Sequence, residues 1–407
     1  MQNNIMTNLP QGWKMETLGE ILSSNKYSIK RGPFGSTLKK SFFVEKGIRI
    51  FEQYNPINND PHWKRYFISH EKFQELEAFK ATEGDLLISC SGTLGKIVEL
   101  PKDTEMGIIN QSLLKIRLNN IKILNSYFIY YFNSPIMQEK ILESTLGSAI
   151  KNIASVKILK QIEIPLPPLK KQERIVGILD ESFVKIDESI KILEQNLLNL
   201  DELMQSALQK AFNPLKDNAK ENYKLPQSWE WKSLEEISEN ISAGGDKPKN
   251  CTESKTAKNQ IPVYANGVNN NGLVGYTDKA TIIKPSLTIS ARGTIGFVCI
   301  RKEPYFPIVR LISLIPCENI LCLHYLYFCL NFFIAKGEGS SIPQLTIPKF
   351  KSLQIPLPPL KEQEQIAEHL DFVFEKAKAL KELYTKELKD YEELKQSLLN
   401  KAFKGEL

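Results

Sequence analysis

Ile164-Pro-Leu-Pro-Pro-Leu-Lys-Lys-Gln-Glu-Arg-Ile175 returns, 191 residues later, as Ile355-Pro-Leu-Pro-Pro-Leu-Lys-Glu-Gln-Glu-Gln-Ile366. A second match, Leu9-Pro-Gln-Gly-Trp13 with Leu225-Pro-Gln-Ser-Trp229, has an offset of 216. Two matched blocks therefore frame two unlike stretches. The repeat is far longer than the roughly 20–50 residues of a solenoid unit. It indicates a duplicated half-protein, each half with a variable globular part and a constant helical part.

The constant parts read as long helices. After Pro167-Pro168, apolar or small residues recur at Leu179, Phe183, Ile186, Ile190, Leu193, Leu197, Leu200, Met204, Ala207 and Ala211. Steps of four and three alternate without a break, which is a heptad seam and calls for a partner helix. Prolines open the segment and Asn213-Pro214 closes it. The same positions in the second copy are Leu370, Phe374, Ala377, Lys381, Tyr384, Leu388, Tyr391, Lys395, Leu398 and Ala402. At the two lysines, the neighbours Leu380 and Leu394 can take over the seam. The helices are equal in length and equivalent in the duplication, so they are expected to pair antiparallel about a pseudo-twofold. About 44 residues at 1.5 Å rise make a rod of roughly 65 Å. A dimerising coiled coil is the plainer reading of the same seam.

The variable segments mix short apolar runs with Gly, Pro and Asn turns. Leu86–Ser89, Ile108-Ile109, Leu113–Ile116, Ser286–Ile289 and Ile312–Ile315 read as strands of α+β domains. Asn125–Asn133 and Leu323–Asn331 read as buried amphipathic helices. Gly92-Thr-Leu-Gly95 matches Gly293-Thr-Ile-Gly296, and Gly147-Ser-Ala-Ile150 matches Gly339-Ser-Ser-Ile342. These matches imply one fold used twice, its glycines either turning a hairpin or cradling a phosphate. The predicted boundaries are a globular domain over 1–164, a helix over 165–213, a linker over 214–224, a second domain over 225–355 and a helix over 356–407.

Bulk properties exclude little. The chain has 407 residues, a net charge of +6, 42% hydrophobic and 25% charged residues, which suits a soluble protein of two domains. The six cysteines form no Cys-x-x-Cys pair and the four histidines do not cluster with them. This predicts reduced thiols in a cytoplasmic protein and no metal site. Ile320–Ala335, the most apolar run, is shorter than the roughly 20 residues of a membrane span, and no membrane association is expected.

The basic and amide-bearing loops are the candidate contacts. Lys30, Arg31, Lys39 and Lys40 surround Gly32-Pro-Phe-Gly35, and Lys64-Arg65 follows. The second half offers Lys247, Lys249, Asn266, Asn269, Asn270 and Arg292. Arg, Lys and Asn grip phosphates and pair with base edges. Taken singly, such lysines are solvated surface and such Asn-Gly pairs are turns. Their shared placement in both halves carries the reading. Catalytic motifs are missing: Gly92-Thr-Leu-Gly-Lys96 is too short for a phosphate-binding loop, and Asp60-Pro-His-Trp63 lacks the second proline of an amino-methyltransferase motif. Glu230-Trp-Lys232 has nuclease-like spacing, but its counterpart is Lys14-Met-Glu16. A chain that recognises and scaffolds fits this pattern.

The layout resembles the specificity subunit of type I restriction-modification systems. The resemblance rests on the Leu-Pro-x-x-Trp openings, the twin Ile-Pro-Leu-Pro-Pro-Leu-x-x-Gln-Glu blocks, and long helices ending in Ala-Phe at 211–212 and 402–403. It implies an α+β protein in which two target recognition domains of similar fold are separated by two long antiparallel helices. Each domain would read half of a split, asymmetric double-stranded DNA site. The helices would pair through Leu179, Phe183, Ile186, Ile190, Leu193, Leu197, Leu200 and Met204 against Leu370, Phe374, Ala377, Leu380, Tyr384, Leu388, Tyr391 and Leu398. They would set the spacing and dock two modification subunits. The resemblance further implies that S-adenosylmethionine sits in those methyltransferase partners, and ATP and Mg in restriction and translocase partners. This chain itself would hold no cofactor and catalyse nothing. The competing expectations are a coiled-coil scaffold without DNA specificity and a self-contained restriction enzyme.

Overall fold

The computed structural model describes residues 9–143, 153, 155–212, 226, 228–334 and 345–407. The glycine matches at 147–150 and 339–342 and the linker at 214–224 lie outside them. The chain divides into two units, Met1–Leu193 with Lys386–Leu407, and Glu194–Thr385.

In unit 1 the sheet order is Ile29–Arg31, Leu113–Ile116, Leu86–Ser89, Ile97–Glu99, all antiparallel. Side chains alternate across a strand. Leu86 and Ile88 therefore join the core beneath the helices Asn125–Asn133 and Pro135–Glu143. Leu87 faces a second core with Phe51, Ile109 and Leu113. That core lies on a mixed five-stranded sheet, ordered Phe43–Val44, Phe67–Ile68, Ile48–Phe51, Gly107–Ile109, Lys80–Ala81. Both faces are covered, which is why Leu86–Ser89 is buried throughout instead of alternating.

Unit 2 repeats the four-stranded order with Ser238–Ala243, Ile312–Pro316, Ser286–Ile289 and Val298–Arg301. Its second sheet is smaller, ordered Leu273–Thr277, Ile261–Tyr264, Phe306–Pro307. Helix Leu323–Phe333 covers the other face.

The repeated blocks close each unit. Lys14–Thr17 pairs antiparallel with Glu163–Leu166, and Glu230–Ser233 with Gln354–Leu357. Long helices follow at Leu169–Phe212 and Leu360–Lys404. The repeated glutamine is their anchor. The Gln172 amide donates to Lys122 O and Pro167 O, at 2.9 and 2.8 Å, and accepts from Leu124 N at 2.9 Å. Gln363 does the same with Ile320 O, Pro358 O and Cys322 N, at 2.9, 2.8 and 2.8 Å. Tyr127 and Tyr325 donate to Pro165 O and Pro356 O. The motif thus places a fully buried amide where loop backbone would otherwise go unpaired, which costs roughly 1–3 kcal/mol per group.

The final Phe of each helix is a plug. Phe403 meets Tyr127 and Tyr131 edge-on in unit 1, and Phe212 packs on Tyr325, Phe332 and Phe333 in unit 2. Lys404 is followed by Gly405, whose φ of 78° lets Glu406 N donate to Lys401 O and Gly405 N to Ala402 O. This is a Schellman cap. A side chain there would strike Pro10 at 2.1 Å.

Within each unit the two helices run antiparallel. In unit 1, Leu399, Ala402 and Phe403 share a core with Ile175 and Leu179, while Lys395 pairs with Asp187. In unit 2, Ala367 and Leu370 share a core with Leu208 and Phe212, while Lys381 pairs with Asp201. Leu179, Ile186, Leu193, Leu200, Leu370 and Ala377 are buried. Phe183, Ile190, Leu197, Met204, Phe374, Tyr384, Leu388, Tyr391 and Leu398 are half-buried.

One expectation is corrected. Leu380 and Leu394 do not take over the seam, being 38% and 44% exposed. Lys381 and Lys395 stay on it, because an unbroken helix keeps the heptad phase. Their aliphatic stems lie in the seam while the ammonium groups reach the aspartates.

All six cysteines are free, and burial pushes the Cys90 thiol up to about 12. Among the described residues no helix is long and apolar enough to cross a membrane, and no group of acidic, His or Cys side chains could hold a metal.

Candidate nucleic-acid interface

Both units carry three loops knitted together at one end of the four-stranded sheet. The first follows the edge strand. Gly32 N donates to Leu113 O at 2.9 Å, and Gly244 N to Leu311 O at 2.8 Å. Backbone approaches so closely here that a Cβ would stand 1.7 Å from Asn110 O at Gly32 and 2.6 Å from Ile308 N at Gly244. The second loop is the glycine quartet, a hairpin turn in each unit. Gly95 N donates to Ser89 O and Gly296 N to Ser290 O, both at 3.0 Å. The third is a tight turn entering the central strand, Asn110 to Leu113 or Ile308 to Leu311. Asn110 N donates to Phe51 O and Ile308 N to Tyr264 O.

In unit 1 the first and third of these loops border an open cleft of about 940 Å³ lined by Lys30, Arg31, Phe34, Gln111 and Lys160. The Lys30 ammonium lies over the rings of Tyr27 and Phe79, at 5.3 and 5.1 Å. Phe34 is 87% exposed on its glycine loop, an unusual place for so large an apolar group. Lys39 and Lys40 are exposed at the end of the same loop. Lys64 and Arg65 stand elsewhere. Lys64 pairs with Glu105 at 3.1 Å, and Arg65 lies 4.8 Å over Tyr66. Burial pushes the Glu52 carboxyl above the usual carboxylate range, and Arg65 opposes this.

Unit 2 assembles its residues differently. Asn266 is a clamp: its oxygen accepts from Ala291 N at 2.8 Å and its amide donates to Val309 O at 2.6 Å. Asn269 and Asn270 are exposed in the turn Asn269–Gly272, where Asn270 and Asn271 have φ of 48° and 53°. Asparagine tolerates that left-handed region. Arg292 is exposed on the hairpin, and Lys247 and Lys249 on the first loop.

Sequence reasoning missed four groups. Gln172 and Gln363 stood in the repeated block itself, and the repeat was their signal. Gln111 and Arg310 have no local motif, since only the paired sheets bring their turns beside the other loops.

A family profile described as the type I restriction modification DNA specificity domain matches residues 10–199 and 226–389. Among curated proteins, one of Mycoplasma pneumoniae provisionally named a type I specificity subunit is 33% identical over 221 residues. That match covers 53% of this chain and 56% of the relative, so the chain spans little more than half of its length. The EcoBI specificity subunit of Escherichia coli is 22% identical over 359 residues, covering 79% of this chain and 73% of that one. Two solved structures share the fold. One, from work on assembly and conformational transition of the type I R-M system, has a TM-score of 0.80 at 20% identity over 98% of this chain and 100% of that one. The HsdS subunit from Thermoanaerobacter tengcongensis has a TM-score of 0.64 at 20% identity, over 98% of each chain.

Proposed function

Because the chain belongs to the type I restriction modification DNA specificity family, we propose that its two units each read one half of a split, asymmetric double-stranded DNA site. The observation that carries this is one sheet order used twice beneath two unlike sets of loops. A common frame with different tips is what two half-sites of different sequence require. Exposed Lys39, Lys40, Lys247 and Lys249 are proposed to contact phosphates, which orient a protein without specifying sequence. The boundaries at 1–164, 165–213, 225–355 and 356–407 are proposed as reader, spacer helix, reader and spacer helix.

The long helices set the spacing and dock two methyltransferase subunits. Exposed apolar residues recur there at the repeat offset. Ile192 and Leu383 are 60% and 61% exposed, and Leu203 and Leu394 are 51% and 44% exposed. Duplicated apolar positions suit two copies of one partner. Those partners would hold S-adenosylmethionine, and restriction subunits ATP and Mg. This chain supplies recognition in the cytoplasm and no catalysis.

The test is co-purification with a type I methyltransferase subunit from the same genome, followed by single-molecule mapping of N6-methyladenine. A split asymmetric motif methylated on both strands is the expected result. Tight association without any sequence preference would favour the scaffold reading instead.

A further inference from the structure

The third loop differs between the units in a way the fold does not require. In unit 1 the turn Asn110-Gln111-Ser112-Leu113 closes through Leu113 N to Asn110 O at 3.2 Å. In unit 2 Ile308-Val309-Arg310-Leu311 closes through Leu311 N to Ile308 O at 3.1 Å. Length and anchor points are the same. Yet Val309 and Arg310 have φ of 54° and 60°, whereas the residues of the unit 1 turn are absent from the left-handed region. For a β-branched residue such a φ is a true outlier. A turn with two such residues favours Asn-Gly.

The strain is held by surrounding bonds. Val309 N donates to Gly245 O and Arg310 N to Gly244 O, both at 2.8 Å. Asn266, just after the strand Ile261–Tyr264, donates to Val309 O and accepts from Ala291 N of the hairpin turn. The corresponding unit 1 turn has its own solution, in which Cys90 N donates to Ser112 O at 2.8 Å and Ser112 N to Asn110 Oδ1 at 3.0 Å. Since the same fold accepts an unstrained turn, the strain in unit 2 serves what the turn presents. It presents the exposed side chain of Arg310.

We propose that Arg310 is a specificity-determining residue of unit 2 that reads a guanine edge in the major groove, with Asn266 as its positioning residue. This rests on the reading of unit 2 as a half-site reader. A guanidinium forks onto guanine O6 and N7, and a rigid backbone keeps the fork aimed before DNA arrives.

The experiment uses the full chain assembled with its methyltransferase partner. Arg310→Ala, Arg310→Lys and the double change Val309→Asn with Arg310→Gly are compared by selection from randomised duplexes and by methylation mapping. The double change places residues suited to this turn, so it keeps the fold while removing the reader. The expected result is a loss of about 10–100-fold in discrimination at one G·C pair of unit 2's half-site. The other half-site stays unchanged. Asn266→Asp keeps the acceptor for Ala291 N but loses the donor to Val309 O, and weakens discrimination at that same pair. An unchanged motif in all Arg310 variants overturns the proposal. So does a uniform loss of affinity with a shallower salt dependence, which marks a phosphate contact. If the wild-type assembly selects no split motif, the half-site reading itself fails, whatever the variants do.

Discussion

The two four-stranded sheets agree on one face and disagree on the other. Facing the helices, unit 1 has Leu86, Ile88, Leu114 and Ile116, and unit 2 has Leu287, Ile289, Ile312 and Leu314. Facing the second sheet, unit 1 has Asp85, Leu87, Lys115 and Arg117 where unit 2 has Ser286, Thr288, Ser313 and Ile315. Unit 1 bonds buried Asp85 to Arg117 at 2.7 Å and Lys115 to Lys80 O at 2.6 Å. Unit 2 pairs the Ser286 and Tyr305 hydroxyls at 2.9 Å and lays buried Arg301 from Thr288 to the Asn271 carbonyl, over the Tyr264 ring. A strand's alternation lets the two faces diverge independently. The face against the covering helices keeps its character, and the face bearing the second sheet is free to change.

Truncating the plugs tests the shared face most severely. Phe403→Ala and Phe212→Ala should each destabilise one unit by about 3–5 kcal/mol. Hydrogen exchange should show lost protection in unit 1 for the first and in unit 2 for the second. Equal loss in both units from either change would break the correspondence.

Arg117→Ile tests the divergent face. It strips a buried carboxylate of its partner, costing unit 1 about 3 kcal/mol, the low end for such a loss because Arg117 is itself partly exposed. Adding Asp85→Ser, the residue unit 2 uses, should recover most of this. Burial already holds the Asp85 carboxyl above its ordinary range, with Lys115 and Arg117 opposing. Removing the arginine raises it further. The penalty should therefore be full at neutral pH and fade as pH falls through that raised value, readable in denaturant midpoints across pH.

Gln172→Ala and Gln363→Ala should each cost about 2–3 kcal/mol through backbone groups left unpaired. Matching losses in chemical denaturation would sharpen the claim that one clamp is used twice. The smallest expected effect is on the unmatched loops. Changing Lys39 and Lys40 together to alanine should leave stability unaltered and weaken DNA binding for every sequence. The slope of log affinity against log salt should fall by about 2. An unaltered slope would remove both from the interface.

The frame was largely legible. Heptad steps located the helices, and the apolar runs at 86–89, 113–116, 286–289 and 312–315 are strands. Misreading began where one side chain has two roles. Lys381 and Lys395 looked like gaps in a seam, but long aliphatic stems fill a seam and still pair at their tips. Asn266 looked like an outward-facing amide, and its partners lie 25 and 43 residues away. Arg310 drew no notice, since a lone arginine after a β-branched residue carries no local signal.

Sequence alone determined the duplication, the long helices and the helix-facing core, because periodicity and repeated blocks record interactions between near neighbours or between identical halves. Only the tertiary structure decided which loops meet, which polar groups are spent on holding backbone, and which turn is strained. Those depend on hydrogen bonds between segments far apart in the chain, and a backbone donor or acceptor has no side-chain identity through which the sequence could announce its partner.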